Sequence, residues 1–130
     1  MVGLDTNILV RFYTKDDPEQ GSKASHLMRN LTRQSPGYVS LVALIELIWV
    51  LRTQYRLKKA ELIRIVEQLL ASTELLVENQ AAVTLALSRF ANGKADFADC
   101  LIERSCAAAG CAETITFDLD AARFAGMRLL

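Results

Sequence analysis

Apolar residues along this chain occur in two spacings: short continuous runs, and longer stretches in which they recur every three or four positions. The second spacing is clearest in "KKAELIRIVEQLLA" and is typical of a helix with one apolar face. Short runs and helical stretches alternate, which predicts an α/β domain with a mainly parallel sheet. The predicted strands are "VGL", the end of "SPGYVS", "ELLVEN", "ETITF" and "MRLL". The predicted helices are "TNILVRFYT", "SKASHLMRNL", "LVALIELIWVL", "KKAELIRIVEQLLA", "QAAVTLALSRFA", "DFADCLIERSCAAAG" and "DAARFAG".

Polar residues before the helical stretches indicate where the helices begin. Thr6 or Asn7 is placed to cap the first helix, because short polar side chains accept hydrogen bonds from free backbone N–H groups. Asp17 precedes Pro18, a residue that suits the first turn, and is placed to cap the second helix. Ser40 is the predicted cap of the third helix.

One carboxylate interrupts the longest apolar run, "LVALIELIWVL", which contains ten apolar residues and Glu46. On a helix its neighbours at i−4, i+3 and i+4 are Val42, Trp49 and Val50, so this helix is predicted to be buried on all sides. An unpaired ionised carboxylate would cost on the order of several kcal/mol there. It must be neutral, pair with a base such as Arg11, or bind a metal ion. We interpret it as functional, because buried carboxylates with perturbed pKa values cluster at functional sites.

The composition favours a single domain over residues 1–130, with 52% hydrophobic residues and 15 acidic against 15 basic residues. Binding to nucleic acid would therefore depend on a local basic patch or on metal ions, not on net charge. No signal peptide and no apolar run of membrane-spanning length is evident, so we expect a cytoplasmic protein. The only histidine, His26, falls on a predicted surface helix, which argues against a Ser-His-Asp triad. The three cysteines are expected to be small buried thiols: Cys100, Cys106 and Cys111.

Other acidic residues follow strands or begin helices. Asp5 and Asp118 stand directly after apolar or β-branched runs, where a parallel sheet binds its ligands, although a turn or cap role for Asp5 is an equal alternative. Asp96, Asp99 and Glu103 lie at i, i+3 and i+7 and share one helix face. The first two also suit the start of a helix, and Glu103 suits a solvated or ion-paired position. This helix by itself therefore does not decide the function.

Four of these acids, Asp5, Glu46, Asp99 and Asp118, come from two strand ends and two helices. Gathering them at one edge of a sheet without cations would be strongly repulsive. Hard divalent ions with oxygen ligands remove that repulsion, so the pattern indicates Mg²⁺ or Mn²⁺. Such ions suit phosphoryl chemistry, in which they activate a water molecule and stabilise the leaving oxygen.

At these residues the sequence resembles the PIN-domain family, and within it the VapC-like ribonuclease toxins of type II toxin–antitoxin pairs. The similar segments follow the family's order over essentially the whole chain: "GLDTNILVRF", "DDPEQ", "SLVALIELIWVL", "ADFADCLI" and "AGCAETITFD". The resemblance implies a three-layer α/β/α fold with a mainly parallel sheet in strand order 3-2-1-4-5. It also implies an endoribonuclease, dependent on Mg²⁺ or Mn²⁺, that hydrolyses RNA phosphodiester bonds with an activated water molecule.

Matching positions carry the family's site residues onto this chain. Asp5 and Asp99 are implied to be the principal metal ligands, while Glu46 and Asp118 are implied to complete the acidic pocket. Three further polar residues are implied to lie beside that pocket: Asn7, Ser40 and Asp96.

The resemblance further implies a homodimer and a small VapB-like antitoxin that covers the groove of the active site. Two alternatives stay open: a PIN nuclease in housekeeping RNA processing, and a domain that binds RNA or a partner without cutting. Four basic residues near the end of the third helix form either a solvated helix end or a rim for the RNA backbone: Arg52, Arg56, Lys58 and Lys59.

Overall fold

The computed structural model describes residues 1–130, and the chain divides into two compact units, Met1–Glu78 and Asn79–Leu130. Both units combine helices with parallel strands, which confirms the predicted α/β class. A single domain over residues 1–130 stays a prediction. None of the helices combines the length and the apolar character that crossing a membrane requires.

The first unit contains three strands and four helices: β1 (Val2–Gly3), α1 (Thr6–Thr14), α2 (Pro18–Asn30), β2 (Gly37–Val39), α3 (Leu41–Thr53), α4 (Lys59–Ala71) and β3 (Leu75–Val77). The strands are parallel, and β2 lies between the other two. Gly37 at the start of β2 is opposite Val2 on one side and Leu75 on the other. The first three strands therefore have the order 3-2-1.

Capping side chains begin the helices of this unit. Asp17 accepts a hydrogen bond from the backbone N–H of Gln20 at 2.9 Å, and Ser40 Oγ accepts one from Ala43 at 3.1 Å, so both predicted caps are confirmed. The prediction that Thr6 or Asn7 caps α1 is wrong. Asp5 is the cap, because its backbone is still extended while the helical backbone already begins at the next residue.

The core of the first unit is built from one side of each helix. The predicted apolar face of α4 is confirmed at Leu62, Ile65, Val66 and Leu69, which are buried, while Leu70 is half-buried. The fully buried side chains that α1 and α3 contribute are Leu9, Leu44, Leu47 and Leu51.

The second unit contains three helices and two short strands: α5 (Gln80–Asn92), α6 (Phe97–Ala108), β4 (Ile115–Thr116), α7 (Leu119–Phe124) and β5 (Arg128–Leu129). Phe90 of α5 and Phe97 of α6 pack edge to face, with ring centroids 5.7 Å apart. The strands β4 and β5 are parallel, with Ile115 opposite Arg128. The strands of the chain thus form two hydrogen-bonded sheets, β1–β3 and β4–β5, and the continuous order 3-2-1-4-5 is not shown.

Glu103 on α6 is the buried charged residue of the chain, with 8% of its surface exposed. Its carboxylate accepts hydrogen bonds from Arg104 Nε at 2.5 Å and Nη2 at 2.8 Å, and Arg89 Nη1 lies 3.5 Å away. The hydrogen bonds from Arg104 lower the pKa of Glu103, against the opposing effect of burial. Of the two sequence alternatives, the ion-paired one is therefore correct.

The lowered pKa of Glu103 predicts a loss of stability in acid. The group stabilises the fold at pH values above its ordinary pKa of 4.5, and this contribution is lost as the pH falls through the lower pKa of the folded state. We expect Glu103→Gln to flatten the pH dependence of the free energy of unfolding below that pH, measured by denaturant titration. Glu67→Gln, on an exposed α4 position, is the matched control and should leave the dependence unchanged. Identical pH profiles for wild type and Glu103→Gln would contradict the prediction.

The cysteines differ in exposure. Cys100 is buried, which raises the pKa of its thiol, whereas Cys106 is half-buried. The prediction of a buried thiol is wrong for Cys111, which is exposed. It follows Gly110, whose φ of +97° takes the chain out of α6 and away from packed surfaces.

Candidate active site

Glu46 lies on the exposed side of α3, so the prediction that this helix is buried on all sides is wrong. Val42 is 69% exposed and Trp49 54% exposed, and both flank Glu46 on the same face. The opposite side carries the buried Leu44 and Leu47. Both sides of α3 are apolar, but only one side packs against the core. The apolar content of this helix therefore does not indicate that all of it is buried. Glu46 is exposed and pays no cost of burial, so its neighbours indicate its role instead.

Thr6, the first residue of α1, forms hydrogen bonds to two acids that lie far apart in the sequence. Its backbone N–H donates to Asp5 Oδ1 at 2.8 Å, and its hydroxyl Oγ1 donates to Glu46 Oε2 at 2.8 Å. Each acid uses one oxygen in these bonds, which leaves Asp5 Oδ2 and Glu46 Oε1 outside them. From its position in the sequence, Thr6 was expected only to cap the helix. The available signal was its position directly after a strand-end aspartate.

Asp5, Asn7 and Glu46 line one cavity of about 320 Å³ within the first unit. Asp5 follows β1 after a single residue, and Glu46 is carried by α3, so the two acids reach the cavity from different elements. Ser40 is not part of the lining, and its hydroxyl accepts the hydrogen bond that caps α3. The other residues of the lining are Thr6, Val10, Arg11, Val50, Gln54 and Tyr55.

Arg11 is the cation of this cavity, and it does not pair with Glu46. Its Nη1 donates to Asp16 Oδ1 at 3.0 Å and to the Tyr55 hydroxyl at 3.2 Å, and its Nε donates to Gln20 Oε1 at 2.8 Å. The hydrogen bond with Tyr55, together with the nearby Asp16 charge, raises the pKa of Arg11. The alternative of an Arg11–Glu46 ion pair is therefore wrong. The carboxylate pair and the guanidinium remain separate features of one cavity.

The predicted acids of the second unit stand at the starts of its helices. Asp118 caps α7, where its Oδ1 accepts hydrogen bonds from the backbone N–H groups of Asp120 at 2.8 Å and Ala121 at 3.1 Å. Asp96 occupies the N-cap position of α6, as one sequence alternative predicts, and Asp99 lies in the first turn of that helix. All three are exposed to solvent at least in part. Their membership of a four-acid pocket stays a prediction.

The carboxylate pair of the first unit suits a hard divalent cation, because such ions prefer oxygen ligands. Asp5 Oδ2 and Glu46 Oε1 are the oxygens that Thr6 does not engage. No group of three or more histidine, cysteine, aspartate or glutamate side chains is arranged to hold a metal ion. The pair therefore fits part of a coordination shell for Mg²⁺ or Mn²⁺, and the further ligands Asp99 and Asp118 stay predictions.

The fold and this cavity define an α/β protein whose acidic side chains lie next to the carboxyl end of a parallel strand. Residues 2–127 match the PIN domain, and the chain therefore belongs to the PIN-domain family. Members of this family are typically nucleases that use a divalent metal ion. A search among curated proteins found no match to the chain.

Proposed function

We propose that this protein is a Mg²⁺- or Mn²⁺-dependent endoribonuclease and the toxin of a type II, VapBC-like toxin–antitoxin pair. The observation that carries the proposal is the acid pair: Asp5 and Glu46, brought by different elements, face one cavity and are joined through Thr6. Each carboxylate keeps one oxygen outside the bonds to Thr6, and a hard divalent cation would be attracted to both of these oxygens. Membership of the PIN-domain family supports the same chemistry.

When bound, a divalent cation supplies charge neutralisation at the phosphate and activates water for attack. Asp5 and Asp99 would hold the cation in this proposal, and Asp118 would add negative charge. Glu46 would complete the acidic pocket directly or through water, and would orient the attacking water or accept its proton. The hydroxyl of Thr6 donates to Glu46 Oε2 and thereby sets the orientation of the carboxylate. Asn7, Ser40 and Asp96 support the site from positions beside it. The proposal includes the family's strand order 3-2-1-4-5.

The partners belong to the proposal as well. The antitoxin is supported by the exposed face of α3, on which Val42 and Trp49 flank Glu46, because an apolar surface around a charged site suits a protein that covers the site. A homodimer is proposed from the family alone. For RNA, the exposed basic residues from the end of α3 to the start of α4 offer contacts to the backbone: Arg52, Arg56, Lys58 and Lys59.

Sequencing of RNA ends after the wild-type protein acts on RNA tests the reaction. Attack by water does not use the ribose 2′-hydroxyl, so we expect 5′-phosphate and 3′-hydroxyl ends that form only when Mg²⁺ or Mn²⁺ is added. Chelation by EDTA should stop the reaction, and re-addition of the ion should restore it. Products with 2′,3′-cyclic phosphate ends, or cleavage at full rate in EDTA, would overturn the proposed reaction.

A further inference from the structure

The cavity that holds Asp5 and Glu46 also contains a cation that the proposed acid chemistry does not use. Arg11 and Tyr55 belong to its lining together with the two acids. We propose that Arg11 binds a backbone phosphate of the RNA substrate, next to the phosphate that is cleaved. This inference rests on the proposed function. Arg11 would then bind the substrate strand, while Asp5 and Glu46, which line the same cavity, would serve the reaction.

Arg11 does not pair with either acid of the cavity. A guanidinium near two carboxylates ordinarily forms an ion pair with one of them. Here the ion pair is with Asp16 at 3.0 Å, the other hydrogen bonds go to Gln20 and Tyr55, and neither Asp16 nor Gln20 lines the cavity. Asp5 and Glu46 are therefore left to act on a cation, and the guanidinium is held apart from them.

Arg11 lies on the face of α1 that also carries a residue of the candidate site. Asn7 and Arg11 are four residues apart, so they lie on the same face of the helix. Arg11 is six positions after Asp5, which corresponds to a rise of about 9 Å along the helix axis. An RNA strand that passes along this face would present one phosphate to the acids and a neighbouring phosphate to Arg11.

Arg11 retains donor capacity beyond its contacts within the protein. Its three hydrogen bonds come from Nε and Nη1, and Nη2 donates none of them. About a third of the side chain is exposed, 30% by area, so the group is reachable from solvent. Tyr55 also donates its hydroxyl proton to Asp16 Oδ2 at 2.7 Å, which closes a ring of contacts that orients the guanidinium. A guanidinium that is already oriented loses little freedom when it binds a phosphate.

The same contacts give Arg11 a structural role, since they connect α1 with Asp16, with α2 and with the segment after α3. A test therefore needs a readout that a purely structural arginine does not change. The salt dependence of RNA binding is such a readout, because each phosphate contact to single-stranded nucleic acid contributes about 0.7 to the slope of log K against log salt concentration.

We expect Arg11→Ala to reduce that slope by about 0.7 for a fluorescein-labelled single-stranded RNA, measured by anisotropy in EDTA so that no cleavage occurs. Arg11→Lys should restore most of the slope, because it keeps the charge. Arg64→Ala is the matched control, since Arg64 is exposed on α4 outside the cavity, and its slope should equal that of wild type. An unchanged slope in folded Arg11→Ala would overturn the inference.

A second measurement needs no variant and covers the case in which Arg11→Ala does not fold. Phenylglyoxal modifies accessible arginines, and mass spectrometry reports the modification at each one. The same RNA should slow modification of Arg11 in the wild-type protein and leave Arg64 unaffected. Equal protection of the two arginines, or no protection at Arg11, would overturn the inference.

If RNA is cleaved as proposed while both readouts are unchanged, only this inference fails. If both readouts change but wild type never cleaves RNA, the proposed function fails and the phosphate contact stands.

Discussion

Asp5→Asn is expected to lower the rate of RNA cleavage by more than about 100-fold while leaving the fold intact. Changes to groups that only support a metal ligand cost about 10- to 100-fold, so loss of the ligand's own charge should cost more. Asparagine caps helices as well as aspartate does, and its side-chain oxygen can accept the hydrogen bond from the Thr6 N–H that Asp5 Oδ1 accepts. The two measurements are single-turnover cleavage and thermal unfolding of the same preparation.

Two further variants separate the cap from the chemistry. Asp17→Asn makes the same chemical change at the cap of α2, outside the cavity that holds Asp5, and should leave cleavage unchanged. Asp5→Ala removes the cap as well as the charge, so it should also lose about 1 kcal/mol of stability. Cleavage at the wild-type rate by Asp5→Asn would show that Asp5 is not part of the site. If Asp5→Asn and Asp17→Asn lose cleavage activity equally, the loss arises from changes to the helix caps and not from the chemistry of the site.

Glu46→Gln is expected to weaken metal-dependent cleavage far more than it changes stability. Glutamine keeps an oxygen that can accept the hydrogen bond from Thr6 Oγ1, but it cannot accept the proton of the attacking water. Glu46 is exposed, so the free energy of unfolding should change by no more than about 0.5 kcal/mol. In the absence of metal we expect any change to be stabilising, because the substitution removes a negative charge held near Asp5.

The control for Glu46→Gln is the same substitution at an exposed glutamate outside the site. Glu67→Gln on α4 changes the net charge by the same amount and should keep full activity, with or without a change in stability. Activity and denaturant unfolding are measured for both variants over a range of Mg²⁺ and Mn²⁺ concentrations. If the activity of Glu46→Gln falls only in proportion to its stability, Glu46 is a structural residue and its proposed role is wrong.

The elements of the fold follow closely from the spacing of apolar residues. The seven predicted helices and five predicted strands are present, and the caps at Asp17 and Ser40 lie where the sequence predicts them. These features depend on hydrogen bonds and side-chain spacings within a few residues, which the local sequence contains. The pairing of strands into a continuous sheet was harder to predict, because it depends on contacts between distant parts of the chain.

The contacts within the candidate site were predicted from the sequence less well than the helices and strands. Asp5 and Glu46 stand out in the sequence, but the expectation that Glu46 is buried was wrong, because an apolar helix can expose one of its apolar sides. An ion pair between Arg11 and Glu46 was one alternative, and Arg11 pairs with Asp16 instead. The sequence did not identify Thr6 as the residue that joins the two acids. Each of these points concerns which side chain meets which across a long sequence separation.

The sequence by itself thus determined the α/β class, the starts of α2 and α3, and the acids that are candidates for the site. Only the tertiary structure decided that Glu46 faces solvent, that Thr6 holds it beside Asp5, and that Arg11 occupies the same cavity without neutralising either acid. The physical reason is the range of the interactions. Helix periodicity and capping act between residues a few positions apart, whereas burial and hydrogen bonding at the site depend on how α1 and α3 pack against each other.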